Sequence, residues 1–390
     1  MNQTSQMLRV VDLFSGSGGM SSGFHRHGGF EIVGAVDRQL AKPGRGKSAG
    51  TSNYCNPTYA RNIGVEPLDL DLSAVEPADL LDRLGLAPSE VDVLISCAPC
   101  TGFSQKNARN HVRDDPRNSL VARTADFVET FQPEFLVMEN VKEMLSGNQR
   151  HHFVGLATRL GEIGYEYWAE IHDLSSFGLP QRRVRALIIA WRGGRVPPLL
   201  PSPGVRMTTV RDAIAHLPAL SAGEAHPEDP MHVCPRMTKP VLDRIQAIPK
   251  DGGSWGDVMN DPSIPEDRKR YLLTPAMFRA RPGSFPDVYG RLSWDAVAVT
   301  ITRECAHVGN GRYAHPEQDR LLSVREMALL QGFPADYHFE GPLTAKYNQI
   351  GDAVPPLVAS LIAGHVYKLQ ADPGALWSET TERQGQLSIL

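Results

Sequence analysis

The chain of 390 residues carries 40 basic and 44 acidic side chains, a formal net charge of −4, and 41% hydrophobic residues, which predicts an ordinary globular protein of two or three domains. The slight negative charge disfavours a protein that coats nucleic acid indiscriminately, although it allows a local basic cleft. No apolar run reaches the roughly 18 residues of a membrane-spanning helix, the first residues lack a signal-peptide layout, and the five cysteines form no disulfide framework, so we expect a cytoplasmic protein.

A glycine-rich turn follows the first predicted strand, Leu8 to Phe14, and leads into a predicted helix. Glycines there let the backbone approach a ligand closely, and the amides of the helix N-terminus favour negative groups. The spacing lacks the third glycine of the dinucleotide fingerprint, because Ser21 stands in its place. A second predicted strand, Glu31 to Val36, ends at Asp37, where such folds place an acid on ribose hydroxyls. The pattern favours a site for a nucleoside cofactor. The alternative is a tight turn in which the glycines are needed only for their positive φ angles.

Residues 38 to 57 form a polar insert that imitates a phosphate-binding loop at 41–48. Alanine stands where the first glycine of that motif belongs and no helical period follows, so we interpret the segment as a solvated basic loop able to touch a phosphate backbone. Asp69 and Asp71 then precede a predicted helix that runs to Leu86. Either acid could line the cofactor site, and simple surface solvation is the equally weighted alternative.

Two further predicted strands end in chemically active side chains. The β-branched run Val93 to Ser96 leads to Pro99 and Cys100, and the strand Phe135 to Met138 ends at Glu139. The carboxyl ends of parallel strands meet at one edge of the sheet, where open α/β folds bind ligands. We therefore predict a cysteine nucleophile with a carboxylate beside it. A helix cap or a salt-bridge partner is the alternative role for Glu139.

The second half of the chain predicts a different organisation. Strands are expected at Tyr165 to Ile171 and Val184 to Ala190. Alternation would place Arg183 and Arg185 on one face of the entering strand, where they could form forked hydrogen bonds to a phosphate or a polar base edge. A salt-bridged edge strand is the alternative. Prolines at 195–204 suggest a linker, and residues 205 to 320 suggest a smaller, loop-rich domain. A capping box at Ser323 begins a helix, an apolar helix spans Leu357 to Leu369, and the final twenty residues should be polar and frayed.

Six motifs in this order resemble the DNA (cytosine-5)-methyltransferase family, over nearly the whole chain. They are Asp12-Leu13-Phe14-Ser15-Gly16-Ser17-Gly18-Gly19, Pro99-Cys100-Thr101-Gly102-Phe103-Ser104, Glu139-Asn140-Val141, Gln181-Arg182-Arg183-Val184-Arg185, Arg325-Glu326 through Leu330-Gln331-Gly332-Phe333-Pro334, and Gly351-Asp352-Ala353-Val354-Pro355-Pro356. The resemblance implies an α/β fold, a Rossmann-like sheet that binds S-adenosylmethionine with helices on both faces, and a loop-rich target recognition domain.

The resemblance also implies a domain division and a set of partners. Residues 1–204 and 340–370 would form a discontinuous catalytic domain, 205–339 the target recognition domain and hinge, and 371–390 a polar tail. The partner would be double-stranded DNA, bound by a monomer, with no membrane involved. A cognate restriction enzyme, another phage-defence system or a solitary role are all compatible with the sequence.

By resemblance, the cofactor site comprises the first turn and three later segments: Phe14, Ser15, Gly16, Gly18, Gly19, Asp37, Asp71, Pro99, Asp352 and Val354. Phe14 would pack on the adenine, the glycines would approach the amino-acid part, and Asp37 would hold the ribose. Two positions depart from the family pattern. Aspartate replaces glutamate at position 37, and at position 352 aspartate replaces asparagine, which places a possible carboxylate near the cofactor.

The implied reaction begins when the target cytosine is flipped out of the duplex. Cys100 would attack C6, Glu139 would hydrogen-bond N3 and the exocyclic amine, and Arg183 would be the companion cation at the pyrimidine O2, with Arg185 close by. Contacts with DNA are predicted for Gln181, Thr300, Ile301 and Ser104. The family usually has Pro-Pro-Cys-Gln where this chain has Ala98-Pro99-Cys100-Thr101, but the proline before the thiol is kept, so activity is expected.

Rival interpretations are weaker. Cys97 and Cys100 form a CxxC pair, but a redox enzyme carries that pair at a helix start in a small domain; a regulatory disulfide that silences Cys100 stays open. A zinc deaminase needs a second cysteine where Phe103 stands, so no metal is expected. The alternative function is a non-catalytic or redox-regulated, sequence-specific DNA-binding homologue; a non-catalytic one would be expected to have lost the thiol or the acid, and both are present. An RNA substrate is disfavoured by the long recognition region.

Overall fold

The strands of the computed structural model, which describes residues 7–40, 52–99, 119–202, 206–280 and 287–387, are close to those expected from the sequence. They are β1 Leu8–Leu13, β2 Phe30–Val36, β3 Val93–Ser96, β4 Phe135–Val141, β5 Glu166–Asp173 and β6 Val184–Trp191. Cys100 to Ser104 and the loop at 41–48 lie outside the described residues, so the predictions made for them stay predictions.

The helices alternate with these strands and then dominate the second half of the chain. They are α1 Gly19–His27, α2 Cys55–Ile63, α3 Pro77–Arg83, α4 Ser119–Phe131, α5 Glu143–Ser146, α6 His151–Glu162, α7 Val210–Ile214, α8 Lys239–Ala247, α9 Trp255–Asn260, α10 Glu266–Leu272, α11 Pro275–Arg279, α12 Val324–Leu330, α13 Leu343–Asp352, α14 Pro356–Ala371 and α15 Pro373–Leu387.

The strands form one mixed sheet in the order β2-β1-β3-β4-β6-β5. Strands β1 to β4 pair in parallel, so their carboxyl ends meet at one edge. Strand β6 runs antiparallel to β4 and β5, so it begins at that same edge, with Arg185 opposite Val141. The predicted Rossmann-like α/β fold is confirmed.

Helices cover both faces of this sheet. Val11, Leu94 and Leu136 belong to a buried cluster that also contains apolar residues of α3, α4 and α6. The alternate residues, such as Val10 and Val93, are equally buried but lie outside that cluster, because successive side chains of a strand point to opposite faces. Helices α1 and α14 pack against each other, and α1 also packs against β2.

The contact between α1 and α14 depends on two glycines one helical turn apart. A Cβ atom at Gly19 would lie 2.2 Å from the Val354 carbonyl oxygen, and one at Gly23 would lie 2.4 Å from the backbone of Ala359. Both distances are below van der Waals contact, so only glycine allows this approach. The end of the chain is thereby packed directly against its first helix.

The chain divides into two compact units: unit 1 comprises Met1–Phe177, Val184–Val205 and Ala353–Leu390, and unit 2 comprises Gly178–Arg183 and Arg206–Asp352. Unit 2 contains α7 to α13 and, within its described residues, isolated β-bridges instead of extended strands.

The core of unit 2 is polar as well as apolar. Arg320 and Glu326 form a fully buried ion pair with two contacts of 2.7 Å, a geometry in which arginine matches a carboxylate with two parallel hydrogen bonds. The predicted capping box is confirmed: Ser323 Oγ accepts from the Glu326 amide at the start of α12, and the Glu326 carboxylate accepts from the Ser323 amide. This pair fixes the start of α12.

The C-terminal region is helical. The expected frayed tail is wrong, since Pro373–Leu387 is a helix that buries Leu376 and pairs Arg383 with Glu379. The helical stretch Leu343–Ala371 is long and apolar enough to cross a membrane, with a mean hydropathy of 1.2, but 67% of its most apolar part is buried inside the protein.

Gly23→Ala tests the close contact of α1 with α14. The added methyl group overlaps the backbone of Ala359, and overpacking of this kind costs about 1–3 kcal/mol of unfolding free energy. The matched control is Gly155→Ala in α6, where a Cβ meets open space and the better helix propensity of alanine adds about 0.5–1 kcal/mol. Urea unfolding of both variants measures the difference, and equal stabilities would contradict the close contact.

Candidate active site

The glycine turn after β1, predicted to bind the cofactor, is held to the end of β2 by hydrogen bonds. The Ser15 amide donates to the Val36 carbonyl at 3.0 Å, and the Gly16 amide donates to the Asp37 carboxylate at 3.0 Å. Phe14 adopts a φ of +61°, which is uncommon for a residue with a side chain and is typical of functional sites. Asp37 therefore shapes the turn through Oδ2.

The same turn leaves polar groups and space for a ligand. The Ser15 hydroxyl is buried and has no hydrogen-bond partner among the described residues, an arrangement that a native protein tolerates where a ligand or water supplies the partner. Gly16 has a φ of +52° and nothing lies within 4 Å of the position of a Cβ. The turn therefore fits a polar ligand that approaches the backbone, as the predicted nucleoside cofactor would.

A buried polar cluster lies at the base of the turn. Asp12, near the end of β1, is 1% exposed, and Ser21 of α1 donates to its Oδ2 at 2.5 Å. The hydroxyl of Tyr59 in α2 donates to Ser21 Oγ at 2.7 Å. Burial raises the pKa of Asp12 from 3.8 to about 7, against the opposing effect of the Ser21 hydrogen bond, and the negative charge of Asp37 adds to the increase.

Glu139 lies at the same edge, near the end of β4, and is 8% exposed. Arg185, in the adjacent strand β6, places Nε 3.0 Å from Glu139 Oε1. The contact is an ion pair that lacks hydrogen-bond geometry. Among the described residues no group donates to the other carboxylate oxygen of Glu139. The carboxylate is thus charge-compensated on one side and available on the other.

Asn140 connects β4 to the segment that leads towards Cys100. Its side-chain amide donates to the Ala98 carbonyl at 3.1 Å, and its Oδ1 accepts from the Val141 amide at 2.9 Å. Ala98 is buried, whereas Pro99 is exposed at the last described position before Cys100. Asn140 therefore fixes the backbone two residues before the predicted nucleophile.

Cys97 stands in unfavourable surroundings for a reactive thiol. Burial raises its pKa well above the ordinary value of 9.0, and the charges of Glu139 and Asp12 raise it further. A thiol of this kind stays protonated at neutral pH and is a poor nucleophile. Of the CxxC pair, Cys97 is consequently the weaker candidate.

Asp71 has local partners. Its Oδ1 accepts from the Ser73 amide at 3.0 Å and from the Ser73 hydroxyl at 2.6 Å, while Oδ2 pairs with Arg38. The hydrogen bond from the Ser73 side chain is the largest cause that lowers the pKa of Asp71. A role for Asp71 at the cofactor stays a prediction. It would require an oxygen of Asp71 to bind the cofactor in addition to Ser73 or Arg38.

In unit 2, the segment 181–183 and the pair at 300–301 are joined by hydrogen bonds. The Ile301 amide donates to Gln181 Oε1 at 2.9 Å, Thr300 Oγ1 donates to the Arg182 carbonyl at 2.7 Å, and Arg183 Nη1 donates to the Ile301 carbonyl at 3.0 Å. Gln181 is fully buried and also donates to Gln331 Oε1. The DNA contacts predicted for these residues stay predictions.

Arg183 and Arg185 lie on either side of the first residue of β6 and have different partners, the Ile301 carbonyl and Glu139; their shared face stays a prediction. Strand β6 begins at Val184, so Arg183 precedes it and belongs to unit 2, while Arg185 belongs to unit 1. The cation that the structure places beside Glu139 is Arg185.

The aspartate that replaces the family's asparagine is paired. Asp352 forms an ion pair with Arg303 inside unit 2. Gly351 allows the close approach, because a Cβ there would lie 2.3 Å from the backbone of Thr302. The charge of Asp352 is therefore compensated by Arg303, and its role at the cofactor stays a prediction.

The structure contains a cavity away from the predicted site residues. A cavity of about 400 Å³ lies among α14, α15 and the segment 198–202, and none of the predicted site residues lines it. Within the described parts of the chain, no three His, Cys, Asp or Glu side chains are grouped so that they could hold a metal ion.

Sequence reasoning missed the Asp12, Ser21 and Tyr59 cluster. Asp12 lies inside the first motif, and an acid in a buried strand is a signal that could have been followed. Tyr59 carried no signal, because it lies 38 residues from its partner Ser21 in an otherwise ordinary helix.

Comparison with known proteins gives consistent results. Residues 8–368 match the family model described as C-5 cytosine-specific DNA methylase. The Type II methylase M.HgiDII of Herpetosiphon aurantiacus is 33% identical over 363 residues, 91% of this chain and 93% of its own length. The Type II methyltransferase M1.HphI of Haemophilus parahaemolyticus is 32% identical over 369 residues, 94% of this chain and 88% of its own length.

Solved structures agree on the fold. A prophage-encoded DNA modification methyltransferase from E. coli superposes with a TM-score of 0.65 at 22% identity, covering 94% of this chain and 100% of that chain. The Dnmt2 methyltransferase of S. pombe superposes with a TM-score of 0.59 at 17% identity, covering 94% and 99%.

Asp12→Asn tests the buried carboxyl through the pH dependence of stability. From about pH 4 to 7 the native protein keeps a proton on Asp12 that the unfolded chain has released. The contribution of Asp12 to the free energy of unfolding therefore falls as pH rises through this range and stays constant above pH 7. Asparagine still accepts from Ser21 but cannot titrate, so the variant should lose this decline and be more stable than wild type at pH 8.

Urea midpoints measured from pH 4.5 to 8 check this expectation. The matched control is Asp82→Asn on the exposed surface of α3, which should keep the wild-type slope. A slope in Asp12→Asn equal to that of wild type would show that Asp12 titrates normally.

Proposed function

Because the chain belongs to the C-5 cytosine-specific DNA methylase family, we propose that it transfers a methyl group from S-adenosylmethionine to C5 of cytosine in a specific double-stranded DNA sequence. The observation that carries the mechanism is the buried Glu139 beside Arg185, at the sheet edge where β3 leads towards Cys100. A carboxylate at this edge, near the end of the strand whose following segment carries a thiol, suits the addition of that thiol to a pyrimidine ring.

The reaction requires the target base outside the duplex, since its reacting edge is inaccessible in the stack. The Cys100 thiolate forms a bond to C6, and the electrons of the C5–C6 double bond make C5 nucleophilic. Bound S-adenosylmethionine supplies a methyl group on a positively charged sulfur. A base, such as water, then removes the C5 proton, the double bond re-forms, and the bond between Cys100 and C6 breaks.

Glu139 acts on the edge of the base that carries N3 and the exocyclic amine. Negative charge develops at N3 as the thiolate adds to C6, and Glu139 in its protonated form donates a hydrogen bond to N3 and passes its proton there, which stabilises that charge. Arg185 holds one carboxylate oxygen at 3.0 Å, which orients the other oxygen towards a ligand. Asn140 supports the approach of Cys100, because it fixes the Ala98 carbonyl.

The cofactor is assigned to the turn of unit 1. The Ser15 hydroxyl, which has no partner among the described residues, supplies a polar group, Gly16 and Gly18 supply the backbone conformation, and Asp37 supplies the carboxylate for the ribose. Phe14 provides an aromatic face for the adenine, and Gly19 is needed where the Val354 carbonyl approaches. Pro99 contributes the backbone next to the reacting thiol.

Unit 2 is proposed to recognise the DNA sequence. The bonded segments 181–183 and 300–301 give it a rigid base from which loops can read base edges, and base contacts, not phosphate contacts, specify sequence. The names of the similar Type II enzymes suggest a restriction system as the partner. We propose a cytoplasmic enzyme that acts on DNA as a monomer.

Expression in a bacterial host that lacks cytosine methylation tests this function. Bisulfite sequencing should show methylcytosine at one short sequence context, and Cys100→Ser should reduce it to background, because a serine hydroxyl is a far weaker nucleophile than a thiolate. Cys97→Ser is the control and should methylate normally. Host DNA without methylcytosine, or a fully active Cys100→Ser variant, would exclude the proposal.

Glu139→Gln tests the role of the carboxylate. Glutamine keeps the shape but cannot pass a proton to N3, so kcat should fall by about 10²–10⁴-fold, the range for general acid–base groups, with little change in the KM for DNA. Transfer of tritiated methyl groups to DNA measures this. Glu166→Gln, on the exposed strand β5, is the matched control, and unchanged kcat in Glu139→Gln would contradict the mechanism.

A further inference from the structure

A cavity of about 400 Å³ in unit 1 has no role in the proposed reaction. It lies between α14, α15 and the segment 198–202, and the turn before unit 2 contributes Ser176 and Phe177. Sites for small molecules usually have volumes above about 300 Å³, so this cavity can hold an organic ligand. Helix α15 lies beyond residues 8–368, which match the family model. The cavity is therefore built partly from a segment that the family match does not cover.

One part of the cavity lining is apolar. Leu199, Leu361 and Leu376 contribute aliphatic side chains, and Phe177 and Pro198 contribute rings. Leu199 and Leu376 are buried in the protein, whereas 40% of Leu361 is exposed. Removal of apolar surface from water favours binding in proportion to the area covered. The apolar part of the lining therefore suits a ligand with a hydrocarbon body.

The other part of the lining carries more positive than negative charge. Glu379 is the one carboxylate among the described residues that line the cavity, and it is shared by two cations. Lys368 Nζ lies 3.1 Å from Glu379 Oε1 and 2.8 Å from Oε2, and Arg383 Nη2 pairs with Oε1. One negative charge thus stands against two positive charges, which leaves one positive charge uncompensated at the lining.

His365 lines the same cavity and adds no charge to it. The residue is 6% exposed, and its Nε2 donates to the Pro197 carbonyl at 2.9 Å. Burial lowers the pKa of His365 to about 4, so the ring is neutral at physiological pH. The hydroxyls of Ser360 and Thr380 supply further uncharged polar groups. The lining as a whole therefore combines an apolar part with a polar part whose net charge is +1.

We propose that this cavity binds a small organic monoanion, a carboxylate with a hydrocarbon body such as a medium-chain fatty acid. The carboxylate faces Lys368 and Arg383 and, together with Glu379, balances their charge. The hydrocarbon body covers the apolar part of the lining. A dianion would leave an excess of negative charge, and a cation would add to the existing positive excess. None of the residues proposed for the reaction lines the cavity, so binding requires neither the methyl donor nor DNA.

Calorimetric titration of the full chain with decanoate, below its micelle concentration, tests the proposal. Binding should saturate at one decanoate per chain. Decyltrimethylammonium, which has the same hydrocarbon chain and the opposite charge, should bind about tenfold more weakly, because attraction to a partly exposed cation is replaced by repulsion. Butyrate, which has the same charge and six fewer methylene groups, should bind at least about tenfold more weakly, since each buried methylene contributes to affinity.

Two charge variants should change the affinity for decanoate in opposite directions. Lys368→Gln removes the excess cation and should weaken binding about two- to fivefold, the size expected for an exposed ion pair. Glu379→Gln removes the competing carboxylate and should strengthen binding by a similar factor. A variant that only loosened α15 would weaken binding instead. The control is Arg83→Gln on the exposed surface of α3, which should bind as the wild type does.

Lys368→Arg keeps the test decisive if Glu379→Gln does not fold, because it retains the charge and should retain the affinity that Lys368→Gln loses. Titration without saturable binding of decanoate, or with equal affinity for decanoate and decyltrimethylammonium, would overturn the proposal. Weaker binding by a folded Glu379→Gln variant, or equal affinities of Lys368→Gln and Lys368→Arg, would overturn it as well.

Discussion

The absence of side chains at Gly19 and Gly23 is the constraint on which unit 1 depends. Gly19 lets α1 approach the Val354 carbonyl and Gly23 lets it approach the α14 backbone at Ala359, so α14 packs directly against the helix that follows β1. The same contact places the Val354 carbonyl directly over the start of α1. The glycine turn after β1 is thus packed against residues more than three hundred positions away in the sequence, with no space for an extra methyl group.

Electrostatics at the carboxyl edge of the sheet follow from the strands that end there. Asp12, Asp37 and Glu139 are delivered by three parallel strands, and among the described residues Arg185 is the cation set against Glu139. The resulting negative field disfavours ionisation of Cys97 and favours a positively charged ligand. One arrangement therefore disfavours the thiolate form of Cys97 and agrees with the proposed cationic methyl donor.

Much of this could be predicted from local patterns. The strands, the glycine turn, the Ser323 cap and the positions of Asp37 and Glu139 follow from periodicity and turn chemistry, which are properties of short segments. Contacts across long sequence separations could not be predicted this way. The pairing of Tyr59 with Ser21 and of Arg303 with Asp352 depends on how helices pack. The start of β6 at Val184 was predicted, whereas the hydrogen bond of Arg183 to the Ile301 carbonyl was not, because it joins residues 118 positions apart.

Covalent trapping tests the central claim, that Cys100 attacks the base, most directly. DNA that contains 5-fluorocytosine at the target site, incubated with the protein and S-adenosylmethionine, should stop after methyl transfer, because fluorine cannot leave C5 as a cation. Fragment-ion mass spectrometry should then find the nucleotide on Cys100, with Cys97 unmodified. An adduct on Cys97, or methylation of ordinary DNA without any trapped species on the fluorinated substrate, would contradict the account.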